Sequence, residues 1–378
     1  MGKRIASIDC LRAVAVFFVV LAHVRPFVGY GADGNYLYVV LDTIGQFDVP
    51  FFFVTAGYFF APKLEPGKVG SYVKHSFRKL GSLYGFGILT YLSAVVFSIG
   101  VAALSGRRLA APLVNRLVEG LSPLGVLYYG DAVAPPFWFL TALFFSICAI
   151  SLFVVAEKVR YLLPVAAGVH LVGLVVQNYP ALVSVSFPTR DALFFGFFYT
   201  ALGFQLRTID WSPNRDRSRL YLGAFGLAVV AQLLEQYFVN FLSRGVTIPE
   251  ATYTTEYTVA TVFLVLSLFG YALSNPDWGR GTVLEKLGPY AVGVYLVHFP
   301  VFRALVVLRR LLQVETGIDL SATLAWQLLV TPVVYVLALG IYVLAARVGL
   351  VEVGGSHLPR LSRIRDRVRR SDVSIPRL

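Results

Sequence analysis

Charge is what this sequence has least of. Only 14% of its 378 residues are Asp, Glu, Lys or Arg, against about 25% in ordinary soluble domains. Hydrophobic residues make up 57% and mean hydropathy is +0.70. That balance excludes an ordinary water-soluble domain and implies an integral membrane protein. Cysteine is scarce as well: Cys10 and Cys148 both fall in apolar stretches, so neither a disulfide framework nor a cysteine metal site is encoded. No nucleophile elbow, metal-ligand helix or glycine-rich phosphate loop occurs. Any chemistry must come from His, Arg, Asp and Tyr. The net charge of +12 would suit nucleic acid, but the basic residues gather in short segments between apolar runs. We read them as a topology signal and expect no nucleic acid partner.

What is present is a series of apolar runs of about 20 residues, the length that crosses a bilayer. About ten occur, near 8–28, 37–60, 81–103, 137–157, 160–178, 191–206, 219–241, 256–274, 288–308 and 323–349. The expected fold is therefore all-α and polytopic, with residues 1–350 as one transmembrane domain and 351–378 as a basic tail. Connections alternate in basic content: Lys3 and Arg4, then Lys63 to Lys79, Lys158 and Arg160, Arg207 to Arg219, Arg280 and Lys286, and the tail arginines from Arg360 to Arg377. The positive-inside rule puts all of these, and both termini, in the cytoplasm of a cell-membrane protein. Arg107, Arg108 and Arg116, with Arg309 and Arg310, fall on the opposite side and follow the rule imperfectly. The Lys3-Arg4 start resembles a signal-peptide flank. Charges interrupt the apolar core and no small-residue cleavage pattern follows, so a retained first span is expected.

That first span, SIDCLRAVAVFFVVLAHVRPFVGY from Ser7 to Tyr30, carries Asp9, Arg12 and His23. Arg12 and His23 are eleven residues apart, roughly three turns plus 20°, so they project from one helix face about 16 Å apart along the axis. Asp9 is one turn before Arg12, a spacing that allows an i,i+3 ion pair. Ionisable groups inside a span are costly and usually face a protein interior or a wet cavity. A headgroup-reaching role for Asp9 and Arg12, and a packed, hydrogen-bonded one for His23, are the structural alternatives. In the second run, GQFDVPFFFVTAGYFF, Gly45, Asp48 and Pro50 predict a kinked or broken helix. His298, in LGPYAVGVYLVHFPVF, is a second histidine in apolar surroundings, and a helix–helix hydrogen bond is its structural alternative. His170 has no motif around it and reads as structural. In the outer connection near 104–136, Tyr128, Tyr129 and Asp131 form either a lid or a plain loop.

Together these segments resemble the membrane-bound acyltransferase-3 family. Arg12, ten residues and His23 in the first span match its signature. So do Val49, Pro50, Phe52, Phe53, Gly57 and Tyr58, with Ala56 where serine is usual. Arg78 and Tyr84 match in the basic stretch before the third span, although Gly81 and Ser82 stand where a proline is expected. Trp138, Phe139, Leu140 and Leu143 match the tryptophan-containing span. Arg190 precedes a Phe-rich run ending at Gly203, and Tyr295 and His298 match the late span, with Pro289 where serine is frequent.

The resemblance implies transfer of an acyl group, most often acetyl, from cytoplasmic acyl-CoA to a hydroxyl of a sugar, glycan or glycolipid. In that scheme His23 is the general base, Arg12 holds the acyl-CoA, and Asp9 orients Arg12. Arg78, Trp138, Arg190, Asp191, Tyr295 and His298 then bind acyl-CoA or acceptor, and no metal is required. Each has a structural reading beside it: Arg78 with Lys74, His75 and Lys79 as inner-face anchoring, Trp138 as part of an aromatic belt, and Arg190–Asp191 as a surface pair. The alternative function is a secondary transporter or flippase for an anionic or lipid-linked substrate. Transporters share broken spans and intramembrane charges, and the lack of a two-half repeat counts against that reading.

Overall fold

A computed structural model describes residues 4–104, 115, 122–178, 189–255 and 258–351. The basic tail from residue 352, and Arg107, Arg108 and Arg116, lie outside the described residues. Twelve helices matter below: α1 (Ala6–Val24), α2 (Gly31–Gly45), α3 (Asp48–Phe60), α4 (Val69–Leu104), α5 (Trp138–Val155), α6 (Leu162–Asn178), α7 (Phe197–Thr208), α8 (Ser218–Asn240), α9 (Val259–Ser274), the short α10 (Val283–Leu287), α11 (Ala291–Thr316) and α12 (Leu324–Arg347). Among the described residues there are no strands, and eight helical segments are long and apolar enough to cross a membrane. The expected sixth and eighth spans are shorter, at 12 residues in α7 and 16 in α9. A single π turn, Ala192–Gly196, leads directly into α7.

The second span is broken where its composition predicts. α2 ends at Gly45 and α3 begins at Asp48, so Pro50 occupies the first turn of α3, where a missing N–H costs little. Buried amides satisfy the break. Gln232 Nε2 of α8 donates to the Thr43 carbonyl at 3.3 Å and to Gln46 Oε1 at 2.7 Å, and Gln236 Nε2 donates to the same Gln46 oxygen at 2.7 Å. Irregular backbone inside a bundle persists only with such partners. The third span runs longer than expected. α4 starts at Val69, so the basic stretch before residue 81 is the first three turns of the same helix.

α3 and α7 cross with their backbones touching. A Cβ on Gly57 would lie 2.1 Å from the Thr200 carbonyl oxygen, and one on Gly203 would lie 2.0 Å from that of Val54. Small residues at a crossing are how membrane helices gain close packing when lipid is as apolar as their side chains.

α1 is buried along most of its length and is held at both ends. At its start, Ser7 N–H donates to the Pro276 carbonyl at 3.3 Å and Ser7 Oγ to that of Ala272 at 2.7 Å. Gly288 presses on the Asp9 backbone, where a Cβ would lie 2.4 Å from the Asp9 carbonyl oxygen. At its far end the rings of His23 and His298 are in contact, so α1 and α11 run side by side in the same direction. α1 stops at Val24 rather than continuing to residue 28. The chain then passes through left-handed backbone at Arg25 (φ 54°) and Phe27 (φ 67°), which is unfavourable for residues bearing a Cβ. Gln327 of α12 stabilises this turn. Its Oε1 accepts from the Phe27 N–H at 2.6 Å while its Nε2 donates to the Ser321 carbonyl at 2.6 Å.

Candidate active site on the first helix

Two groups of polar side chains lie on α1, one at each end. The first is built on Asp9, a carboxylate 4% exposed. Its Oδ1 accepts from Arg12 Nη1 at 3.1 Å, the i,i+3 pair expected from the spacing. Its Oδ2 accepts from both Nε and Nη2 of Arg4, at 3.1 and 2.8 Å. One buried carboxylate thus holds two guanidiniums, and the trio keeps a net positive charge. Arg12 also sits 5.5 Å over the ring of Phe59, and its half-buried head lies near enough to Lys79, itself near Lys63, for mutual repulsion. Arg78 is exposed on α4. From the basic stretch it is Lys79, on a different face, that comes close to Arg12.

The second group is two histidines. His23 Nδ1 lies 2.8 Å from the Val19 carbonyl, which can only accept. Nδ1 therefore carries the proton, and in the neutral ring Nε2 bears the lone pair. His298 is held likewise, with Nδ1 at 2.7 Å from the Tyr295 carbonyl and 3.2 Å from that of Val294. Its Nε2 is buried and has no hydrogen-bond partner among the described residues. The two ring centroids are 5.1 Å apart at 66°. The structural alternative for His298, a helix–helix hydrogen bond, does not match these bonds to its own helix, and its ring contacts that of His23. Phe299 also meets His23 edge-on, with ring centroids 5.8 Å apart.

Tyr295 connects this pair to a third cluster. Its hydroxyl donates to the Pro136 carbonyl, and its ring lies 5.4 Å from Phe139. Next to Phe139 on α5, Trp138 is 5% exposed and packs on Phe53 and Phe195 at 5.9 and 5.7 Å. It is a core residue, so the aromatic-belt reading does not hold. Arg190 lies 5.1 Å over its ring. Asp191 caps the π turn, with Oδ1 accepting from the Phe194 N–H at 2.9 Å and Oδ2 from the Tyr128 hydroxyl at 2.8 Å. Burial, reinforced by the neighbouring Asp191, pushes the Tyr128 phenol above its ordinary range and keeps it a donor. Tyr128 therefore ties the 122–130 segment to the head of α7.

His170 is structural, as expected. Its Nδ1 lies 2.9 Å from the Phe194 carbonyl and its ring stacks at 4.4 Å on Phe198. Sequence reasoning missed the second cation on Asp9, because Arg4 reads as a topology charge, and it missed Gln327. The i,i+5 spacing of Arg4 and Asp9 was the available signal for the first. Gln327, 300 residues from Phe27, gave none.

An all-α polytopic membrane protein whose first helix presents a carboxylate–guanidinium group at one end and a paired histidine at the other defines the class of molecule. The family model described as an acyltransferase domain, acyltransferase-3, matches residues 5–346, and the chain belongs to that family. It is a membrane acyltransferase. Neither the curated proteins nor the solved structures gave a match.

Proposed function

We propose that the protein is an acyl-CoA-dependent O-acyltransferase that moves an acetyl group to a hydroxyl of a sugar, glycan or glycolipid. The observation that carries this reading is His23: an imidazole with Nδ1 committed to the Val19 carbonyl, on the same helix face as Arg12 and about 16 Å along it. That rise is comparable with an extended pantetheine arm. Arg12 holds the coenzyme near its phosphates, and the thioester lies beside His23. His23 Nε2 removes the proton from the acceptor hydroxyl as its oxygen attacks the thioester carbonyl. The carbon–sulfur bond then breaks, and the same proton passes to the departing thiolate. Direct transfer needs no acyl-histidine. Asp9 orients Arg12. Trp138, Arg190, Asp191 and Tyr295 shape the acceptor side, His298 walls the reacting centre, and Arg78 adds positive charge at the cytoplasmic approach.

The test is release of free coenzyme A thiol from acetyl-CoA by purified protein, with membranes of the producing cells as acceptor source. Wild type is expected to release thiol, and His23→Ala, still monodisperse, to release none above background. Equal release by both would remove His23 from the reaction.

A further inference from the structure

Beyond Arg12, on the side away from His23, the structure holds a cleft that the reaction scheme above does not use. It has a volume of about 480 Å³ and is lined by Arg4, Glu285, Lys286, Pro289 and Tyr290. Cavities of roughly 300–1,000 Å³ accept ligands of nucleotide size. The walls combine two cations with an aromatic ring and a proline.

Each wall has a defined direction. Arg4 spends Nε and Nη2 on Asp9 Oδ2, which fixes the guanidinium plane and leaves the Nη1 edge for another acceptor. Glu285 is the one anion of the lining, and its carboxylate is engaged: its Oε2 accepts from the Gly281 N–H at 2.6 Å, and its own N–H donates to Thr282 Oγ1 at 3.4 Å. Thr282 thus caps the start of α10 while the Glu285 carboxylate is bonded to the backbone just before it, so this oxygen is already paired with a donor of the chain. Lys286, next in sequence, is exposed. Tyr290 is half-buried, supported edge-on by Tyr342 at 6.4 Å, and offers a ring on which a base can stack. The cleft thus presents guanidinium, ammonium and aromatic surface at one place.

Its position gives the order of the ligand's parts. His23, Arg12 and Arg4 succeed one another along the start of the chain, with Arg4 joined to Arg12 through the single carboxylate of Asp9. A linear molecule whose reactive end is at His23 and whose pyrophosphate is at Arg12 must place its nucleoside beyond Arg12. We propose that this cleft seats the 3′-phosphorylated adenosine end of the acyl-CoA, with Arg4 and Lys286 on the 3′-phosphate and Tyr290 under the adenine. This rests on the acyl-CoA reading of the site and adds where the nucleotide binds.

The experiment compares CoA with dephospho-CoA, which lacks only the 3′-phosphate. Binding is measured by calorimetry on the full-length protein in detergent free of anionic lipid, for wild type, Lys286→Gln, Arg4→Gln and Tyr290→Leu. Wild type is expected to prefer CoA. Lys286→Gln and Arg4→Gln are expected to lose on the order of tenfold for CoA, the usual effect of removing one charged hydrogen-bond partner, and less than twofold for dephospho-CoA. Tyr290→Leu is expected to weaken both. Lys286→Gln leaves the Arg4–Asp9 pair untouched, so an unchanged melting temperature separates a phosphate contact from a folding defect.

Equal weakening of CoA and dephospho-CoA by Lys286→Gln and Arg4→Gln would overturn the 3′-phosphate assignment. So would unchanged affinity for both, or a loss confined to co-purifying anionic lipid, which shares the phosphate chemistry. CoA binding to wild type that ignores the cleft variants would leave the acyl-CoA reading standing. No CoA binding to wild type would defeat that reading as well.

Discussion

Asp9 controls more charge than any other side chain near the site. It is buried, yet the Arg4 and Arg12 side chains bonded to it are 67% and 31% exposed, so solvent screens part of the attraction. Replacing it with Asn would leave Arg12 without its anchor beside Lys79 and Lys63. Asp9→Asn is expected to cost about 1–3 kcal/mol, below the full loss for a wholly buried pair. It should also raise the KM for acetyl-CoA more than it lowers kcat, as steady-state kinetics would register. An unchanged KM would mean that Arg12 needs no orienting partner. Asp9, Arg12 and His23 were legible in the sequence because charge inside an apolar run is conspicuous and helical spacing fixes relative direction. The His23–His298 contact was not, since two histidines 275 residues apart carry no mark of which helices will be neighbours.

At the scale of elements, the start and end of α1 are fixed by contacts with distant parts of the chain, and the turn after its far end is held by the side chain of Gln327. Gln327 satisfies the Phe27 N–H in a turn that already contains two left-handed residues. Gln327→Leu keeps bulk but strands that donor, at about 1–3 kcal/mol. Because His23 is two residues before this turn, the variant is expected to lower kcat while leaving CoA affinity within twofold. Calorimetry and turnover on one preparation would tell these apart, and equal falls in both would point to general unfolding.

The α3–α7 crossing makes a second test. Gly203→Ala must push a methyl into the Val54 carbonyl, so the helices have to separate. Overpacking of this kind typically costs about 1–3 kcal/mol, and we expect a melting temperature several degrees lower in detergent. A melting temperature equal to wild type would mean the crossing is loose. The break in the second span was readable from Gly45, Asp48 and Pro50, whose local chemistry forbids a straight helix. The glutamines that satisfy the break come from α8 and declare themselves only once the helices pack.

For the whole molecule, hydropathy gave most of the helices and basic residues gave an orientation. Among the described residues, eight helical segments have the length and apolarity to cross a membrane, whereas α7 and α9 are shorter. The sixth expected span, 191–206, takes in the apolar residues Ala192–Gly196, which form the π turn ahead of α7 rather than part of the helix. The cleft at Arg4 and Lys286 and the turn held by Gln327 lie at opposite ends of α1. The positive-inside rule predicts a cytoplasmic position for the first and an outer one for the second. A cysteine introduced at Lys68 is therefore expected to react with an impermeant maleimide only after cells are opened, and one at Ser321 in intact cells. The reverse pattern would invert the topology and put acyl-CoA on the wrong side of the reaction scheme.

His23 as the base is the central claim, and it is tested most directly by measuring turnover and CoA affinity together for His23→Gln, a substitution that keeps polarity and approximate size. A positioned general base typically contributes 10²- to 10⁴-fold. Acetyl transfer to membrane acceptors should therefore fall by about that factor, while CoA binds within twofold of wild type. Transfer at the wild-type rate with CoA still bound would contradict it, and the proton would have to leave the acceptor by way of His298 or solvent.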